Sequence, residues 1–552
     1  MKKIDFSVNP PLDESQAPTR LISHISHPEA WKVRDYFTFN TDHKVIGIQY
    51  LVTGFIFYLI SGLMAIALRT KLATADADFL DPTPDNALMT NHGTIIIFLW
   101  IVKSAIGGFG NYLVPLMIGA RNMAFPKLNA IAFWLNLVAG LLLLLSFIFS
   151  NYHSNWTTYP PLSLITANNA QSLWILSIIL GVISSILDSI NFVITILMMK
   201  VPSMKWDQIP LFCWAILGTS ILAILSTPIL AVGLFLLLFD INFGTSFFKP
   251  DADGNVVIYQ HLSWFYAHPA VYLMILPIFG ILSEIIPTHV QKPIFSYKAI
   301  AFSTLAICVV GLFVWVQHLF TNDTPNWMQI LFTLSPLIVA VALCVKICVW
   351  VATLWGRKIR FTSAMLFAIG FLFMFAMGSL SGIIMGTVPF EVHDTYYVVG
   401  HFHYVLFGGS VLGIYAGIYH WFPKMTGRMM NEAWGRVHFV LTFIGTNLTF
   451  LPMHKLGLQG MSRRMIMYDP QFITLNQLCT IGAFLLGLSV IPFALNAIFS
   501  WQKGELAGDN PWESLTLEWT TSSPPIIENW EVLPVVTHGP YDYEYNHDEL
   551  LS

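Results

Sequence analysis

Charged side chains are scarce in this chain of 552 residues, since Asp, Glu, Lys and Arg make up only 11 % of it. Soluble domains carry about 25 % charged residues, so a soluble globular fold is excluded. The formal net charge of −4 indicates no particular partner, and we separately expect no nucleic-acid partner. Five cysteines occur without a Cys-x-x-Cys pair, so we expect all five to be small core residues, and neither a disulfide framework nor a thiolate copper site is suggested. The polar N-terminus lacks the apolar core of a signal peptide, so we expect no cleavage.

Long apolar runs fill most of the chain, with 55 % hydrophobic residues and a mean hydropathy of +0.64. A run of about 20 apolar residues crosses a bilayer as a helix. The pattern predicts an all-α integral membrane protein with about twelve transmembrane helices in residues 45–501, between an N-terminal segment 1–44 and a polar tail 502–552. The predicted spans lie near 45–68, 93–119, 130–150, 173–199, 211–239, 264–287, 299–320, 329–353, 362–387, 397–422, 436–454 and 476–501.

Lys and Arg concentrate in alternate loops between these runs, and loops of this kind face the cytoplasm. Both termini then lie on the cytoplasmic side of a multi-pass protein in a bacterial plasma or thylakoid membrane. The loop cations that set this orientation are Arg121, Lys127, Lys200, Lys205, Lys292, Lys298, Arg357, Lys358, Arg360, Lys424, Arg428 and Arg436.

Two histidines interrupt the apolar run that follows His393-Asp394-Thr395. His401 and His403 are two residues apart, roughly 200° around a helix, so they cannot bind one metal but can each serve a different cofactor. A membrane-embedded histidine is costly unless it is paired or ligated. His92, near the start of the second run, is a third candidate ligand.

A second group of polar residues lies in the sixth and seventh runs. His268 and Tyr272 are four residues apart, so imidazole and phenol share one helical face. Gln317 and His318 are adjacent further along the chain. Imidazole suits copper and iron, whereas an amide oxygen is a harder donor.

These motifs resemble those of subunit I of the haem–copper respiratory oxidases, in the cyanobacterial-type branch. The resemblance covers about residues 36–530 and includes Gly107-Gly108-Phe109-Gly110-Asn111 and Trp421-Phe422-Pro423-Lys424. It implies that His92 and His403 bind a low-spin haem and that His401 binds a high-spin haem. Imidazole on both sides of a low-spin haem is a common arrangement.

The resemblance also implies a copper site formed by His268, Gln317 and His318. In the family a histidine stands where this chain has Gln317, and the copper-binding His268 is covalently linked to Tyr272, which supplies an electron and a proton to dioxygen. Because the amide is a weaker donor than imidazole, we expect copper to be held less tightly.

Residues near the predicted outer face match further family positions. Arg463 and Arg464 match the pair that binds the anionic haem propionates, and Arg69 resembles an arginine beside the low-spin haem. The loop residues that pack next to the propionates are matched by Trp156 and Tyr159. The pair His393 and Asp394 resembles a magnesium site completed by a partner subunit, and Glu391 is too close to them to be assigned.

Proton uptake is expected to follow a route through Lys346, which aligns with the lysine of the family's K pathway leading past Ser283 to Tyr272. The threonine usual three residues before that lysine is Leu343 here. In the family's D pathway, the entrance aspartate is replaced by Asn122 and the internal glutamate by Ala270. Neither side chain ionises, so the sequence predicts that Lys346 carries the protons used at the dioxygen site.

The resemblance therefore predicts a terminal oxidase that reduces dioxygen to water, with two haems, copper and a magnesium site as cofactors. Haem A is the first expectation, with B or O as alternatives. Expected partners are oxidase subunits II and III and either cytochrome c, another small carrier or quinol. Two alternatives stay open: a haem-binding subunit with a weakened copper site, and a nitric oxide reductase-like activity.

Overall fold

The computed structural model describes residues 32–76, 80–149, 154–319, 325–386 and 392–543. Throughout those ranges the regular structure is helical, and strand-like pairing is limited to two isolated bridges, Thr395 with Ser462 and Arg428 with Leu506. The predicted all-α class is confirmed. Within the same ranges eleven helices are long and apolar enough to cross a membrane.

The eleventh predicted span, 436–454, is also a helix, but it is not among those eleven, because His438, Asn447 and His454 lower its hydropathy. The long helices are α1 (His43–Lys71), α2 (Pro82–Ile118), α3 (Pro126–Ile148), α4 (Asn169–Met198), α5 (Leu211–Asn242), α6 (Val256–Val290), α7 (Tyr297–Gly311), α8 (Asn326–Leu354), α9 (Ser363–Met385), α10 (Tyr396–Thr426), α11 (Glu432–Leu458) and α12 (Pro470–Lys503).

Three helix boundaries differ from the predicted spans. Helix α2 begins at Pro82, where the missing N–H costs nothing, so His92 lies inside the helix rather than at its start. Helix α1 continues to Lys71 and includes Arg69. Helix α7 ends at Gly311, and His318 lies in a short 3₁₀ helix, Val314–Leu319.

Two long helices contain π-helical segments. In α2 these are Ile95–Ile101 and Lys103–Gly110, and in α10 the segment Leu406–Val411 follows soon after His403. Such segments occur frequently at functional sites. Each one widens the helix next to residues that the sequence analysis selected.

The chain after α12 packs against one end of the bundle. Lys424 at the end of α10 donates hydrogen bonds to the carbonyls of Thr521 at 2.7 Å and Asp509 at 3.0 Å. The Asn529 amide accepts from Lys44 at 2.9 Å. The tail therefore forms a fixed cap on the bundle.

The five cysteines are free, and they do not share one environment. Cys213, Cys308 and Cys479 are buried, as expected for small core residues. Cys344 and Cys348 are exposed, so the expectation that all five are core residues was wrong for these two. They are four residues apart and therefore lie on the same outward face of α8.

Candidate metal and haem centre

The three predicted copper ligands come together between α6 and the 3₁₀ helix that follows α7. His268 Nδ1 lies 2.9 Å from His318 Nε2 and 3.3 Å from Gln317 Nε2. A half-turn of the amide brings its oxygen to the same place, since the two ends of a glutamine amide are equivalent in shape. In the described ranges no group of three or more His, Cys, Asp or Glu side chains is placed to hold a metal ion, and the donors that meet here are two imidazoles and one amide.

His268 uses its second ring nitrogen to contact Tyr272. His268 Nε2 lies 3.0 Å from the Tyr272 hydroxyl, and both belong to α6. The four-residue spacing therefore gives the contact that the sequence predicts. Imidazole and phenol are joined by a hydrogen bond while Nδ1 remains directed at the metal centre.

Aromatic rings support the outer side of this centre. The Trp264 ring stacks on His318, with ring centroids 3.7 Å apart and planes 5° from parallel. The Trp264 indole N–H donates to the Tyr159 hydroxyl, and Trp156 packs edge-on against Trp264 at 6.1 Å. The predicted loop residues Trp156 and Tyr159 thus contact the copper region through one tryptophan.

Two of the predicted haem ligands, His92 and His403, have one ring nitrogen occupied. His92 Nδ1 lies 2.9 Å from the Ser61 hydroxyl and 3.1 Å from its carbonyl. His403 Nδ1 lies 2.9 Å from the Val399 carbonyl, and its ring stacks on Phe450. The hydrogen bonds shown by the structure involve Nδ1 in both rings. Each histidine therefore has Nε2 available for iron, with a second contact that fixes the ring.

His401 faces the opposite side of α10 and contacts α9. Its Nδ1 lies 3.0 Å from the Ser381 hydroxyl and 3.1 Å from the Gly378 carbonyl. A Cβ on Gly382 would approach the ring to 2.8 Å, so only glycine leaves room for the imidazole there. His401 and His403 turn towards different helices, as their spacing predicts.

Arg69 is buried at the end of α1 and only partly satisfied. One terminal nitrogen donates to the Asn476 carbonyl at 2.7 Å and lies 3.3 Å from the Thr480 hydroxyl. Its Nε and Nη1 are buried and find no hydrogen-bond partner in the part of the chain that the structure describes. A buried guanidinium with free donors suits a polar or anionic substituent at the haem edge.

The predicted propionate pair lies in the loop between α11 and α12. Arg463 pairs with Asp394 at 2.8 Å, and its Nε is buried with no hydrogen-bond partner within the described ranges. Burial and the charge of Arg463 lower the pKa of Arg464. Burial raises the pKa of Tyr159 to about 12, although both arginines act in the opposite direction. Two neighbouring arginines, one of them with a nitrogen free to donate, favour the binding of an anionic group.

His393 and Asp394 form an exposed pair, with the two side chains 66 % accessible and their nearest N and O atoms 3.5 Å apart. Asp394 also pairs with Arg463. This leaves the carboxylate open to solvent or to a partner chain, as a shared metal site requires. Glu391, which was not assigned, lies outside the described residues.

Lys346 is fully buried in α8 and contacts α7. Its Nζ donates to the Thr304 hydroxyl at 2.6 Å and to the Ile300 carbonyl at 2.9 Å. The Ser283 hydroxyl is engaged elsewhere, since it donates to the Phe279 carbonyl at 2.7 Å and accepts from Trp350 at 3.1 Å. Lys346 thus meets a hydroxyl on α7, which the sequence analysis did not select.

Sequence analysis also missed a buried ion pair between α2 and α4. Lys103 Nζ lies 3.5 Å from Asp188 Oδ2, and each side chain is only 3 % accessible. Both residues lie inside predicted apolar runs, where any charged residue is a functional candidate. The sequence shows that each of these charged residues lies in an apolar run, but it does not show that the two form a pair.

Comparison with known proteins gives a consistent result along the chain. The family model described as "Cytochrome C and Quinol oxidase polypeptide I" matches residues 45–485. "Cytochrome c oxidase subunit 1" of Thermostichus vulcanus is 73 % identical over 519 residues, covering 94 % of each chain. The protein of the same name from Synechocystis sp. is 58 % identical over 520 residues, covering 94 % of each chain. A solved heme-copper terminal oxidase dimer has the same fold, with a TM-score of 0.73, 18 % identity, and coverage of 84 % of this chain and 85 % of that one.

Proposed function

Because this chain belongs to the cytochrome c and quinol oxidase polypeptide I family, we propose that it is the catalytic subunit I of a terminal oxidase that reduces dioxygen to water. The observation that carries this proposal is the convergence of His268, Gln317 and His318, with Tyr272 hydrogen-bonded to the far side of His268. This arrangement places metal donors and a proton donor within one hydrogen bond of each other.

Haems and copper are the cofactors of this family, and when bound they supply electron transfer and dioxygen reduction. We assign His92 and His403 to the low-spin haem and His401 to the high-spin haem, because each ring is fixed through Nδ1 and presents Nε2. Arg69, Arg463 and Arg464 would neutralise the anionic edges of the haems. The free nitrogens of Arg69 and Arg463 support that role. Haem A is the type we expect first, ahead of B or O.

The proposed proton route to the dioxygen site begins at Lys346 and follows one face of α7. Thr304, Cys308 and Gly311 have the spacing i, i+4, i+7, so they share that face. A Cβ on Gly311 would lie 2.7 Å from the Tyr272 ring. The face therefore runs from the Lys346 ammonium to the phenol that holds the reacting proton.

Partner subunits complete the proposed enzyme. We expect subunits II and III, with cytochrome c, another small carrier or quinol as electron source. A magnesium ion between His393, Asp394 and a partner chain is consistent with the exposure of both side chains. The protein would lie in a plasma or thylakoid membrane, with both termini on the cytoplasmic side.

Metal analysis and oxygen consumption of the purified complex test this function together. One copper per two haems with rapid oxygen consumption supports an oxidase. Haem without copper and without turnover favours the second candidate, a haem-binding subunit with a weakened copper site, which the Gln317 amide supports. Iron in place of copper together with nitric oxide consumption would overturn the oxidase function.

A further inference from the structure

A buried polar cluster joins α1, α2, α3 and α4 away from the copper centre. Lys103 Nζ donates to the Ser184 hydroxyl at 2.8 Å, and the Tyr50 hydroxyl donates to Asp188 Oδ2 at 3.0 Å. Ser184 in turn donates to the Ala132 carbonyl of α3 at 2.7 Å. Lys103 also lies over the Tyr50 ring, 5.8 Å from its centroid. Among the described residues, Asp188 Oδ1 is thus the one polar side-chain atom of Tyr50, Lys103, Ser184 and Asp188 that has no hydrogen-bond partner.

The cluster lies deep in the bundle. Lys103 is eleven residues after His92 on α2, which is about 16 Å along a helix axis. Lys103 and Asp188 are both 2 % exposed and Tyr50 is fully buried. Separating such charges from water costs several kcal/mol for each ion even when they are paired. A fold gains little stability from this arrangement, so a structural role alone explains it poorly.

One atom of the cluster is left free to react. Asp188 Oδ2 accepts from Tyr50 and pairs with Lys103, but Asp188 Oδ1 is buried and has no hydrogen-bond partner among the described residues. A carboxylate oxygen without donors is where a proton binds most readily, because nothing there stabilises the anion. The Lys103 ammonium offsets the charge of the ionised carboxylate, so the pair is near neutral before a proton is taken up.

Among the described residues, amide atoms without hydrogen-bond partners lie on two of the helices that form this cluster, α2 and α3. Asn129 and Asn136 lie three and four residues to either side of Ala132, so they share its face of α3. Both amide atoms of Asn129 are buried without partners, as are the side-chain oxygens of Asn136 and Asn111. Buried polar groups of this kind bind ordered water in folded proteins. Asn111 and Asn129 are also nearer than Lys103 to the loop between α2 and α3.

We propose that Lys103 and Asp188 form a proton-transfer site, in which Asp188 Oδ1 takes up and releases a proton and Lys103 balances its charge. The charged and titratable groups of the site are Lys103, Asp188 and Tyr50. In one cycle a hydronium ion donates its proton to the carboxylate, which leaves water and the neutral acid, and the acid later returns a proton to water, with no change at Lys103. The inference rests on the proposed oxidase function, which consumes protons. It places an ionisable group in a region where the sequence analysis expected none.

Three variants of the complete complex test this site. Asp188→Asn should lower oxygen consumption per haem by roughly ten-fold or more, the usual contribution of a positioned proton donor. The double variant Lys103→Met/Asp188→Asn removes both charges, and turnover should stay slow because no proton carrier is restored. Asp188→Glu should keep turnover and shift its pH profile. Asp42→Asn is the matched control, since Asp42 forms another buried pair, with Lys44 at 3.1 Å, and it should leave turnover unchanged.

Wild-type turnover in the double variant would show that the pair is structural and would overturn the proposal. If Asp188→Asn fails to bind haem, the turnover of the double variant tests the proposal instead, because its two neutral side chains leave no buried charge unpaired. Infrared pH titration gives a readout independent of turnover. A protonated-carboxyl band should appear as pH falls and be lost in Asp188→Asn. If the unmodified complex consumes no dioxygen, the proposed oxidase function is wrong. The infrared band still shows whether Asp188 exchanges a proton.

Discussion

The Lys346 ammonium donates a 2.6 Å hydrogen bond to the hydroxyl of Thr304, across the contact between α8 and α7. The family's usual threonine position is occupied here by Leu343, so the hydroxyl next to the lysine comes from a different helix. This relationship decides how the proposed proton route can be tested.

Lys346→Met should slow oxygen consumption by orders of magnitude while haem content stays normal, because the ionisable group is removed but the volume is nearly kept. Thr304→Val should slow it in the same direction and by less, since water can replace a single hydroxyl. Both effects are measured as oxygen consumption per haem. Ser303→Ala is the control, because the neighbouring Ser303 hydroxyl bonds only its own helix, at the Ile300 carbonyl. Unchanged turnover in Lys346→Met would place the route elsewhere.

Replacing either predicted low-spin ligand, by His92→Ala or His403→Ala, should remove the low-spin haem signal in reduced-minus-oxidised spectra. Each ring is held by its Nδ1 contacts and presents Nε2, so either substitution removes one of the two proposed iron donors. The control is His438→Ala, since His438 lies on α11, is buried against Tyr419 of α10 and should leave the spectrum intact. A low-spin signal that survives in both variants would refute the assignment.

Copper should be substoichiometric or easily removed by a chelator, because two imidazoles and one amide form a weak donor set. Gln317→His adds a third imidazole and should raise copper affinity at least about ten-fold, since even changes outside the ligand set cost that much. Metal analysis after dialysis against chelator measures the effect. Gln317→Glu keeps the size of the side chain and serves as a matched comparison. Full copper retention by the unmodified complex would show that the amide is an adequate ligand.

Docking of the C-terminal tail should weaken as pH rises. Burial raises the pKa of Glu518 above its ordinary value of 4.5, and the side chain accepts from Thr516 at 2.8 Å. A carboxyl with a raised folded-state pKa stabilises docking fully below its unfolded value, and this contribution is lost as pH rises through the folded value. Hydrogen exchange of the segment around Glu518, corrected for the intrinsic rate, measures the effect.

Glu518→Gln should remove this pH dependence because the amide stays neutral. Glu513→Gln provides the control, since Glu513 is exposed and pairs with Arg360 at the surface. If exchange in the unmodified protein does not change with pH, Glu518 is ionised in the docked tail and the interpretation is wrong.

Local sequence patterns were enough to determine the class of protein and much of the metal centre. Apolar runs gave the helical spans, because a helix in lipid must satisfy its own backbone and therefore shows as a continuous segment. The two-residue and four-residue spacings placed His401 and His403 on opposite sides and joined His268 to Tyr272. These relationships lie within one helix, where the 3.6-residue period fixes geometry.

Contacts between helices required the tertiary structure. Hydropathy shows that Lys103 and Asp188 each lie in an apolar run, but not that α2 and α4 bring them together with Tyr50. In the same way, Thr304 rather than Ser283 contacts Lys346, because the packing of α7 on α8 sets which hydroxyl faces the lysine. Sequence spacing encodes positions along one helix, whereas the relative rotation and depth of two helices follow from side-chain packing over the whole bundle. The sequence by itself therefore determined which residues can carry the chemistry, and the packing decided which of them meet.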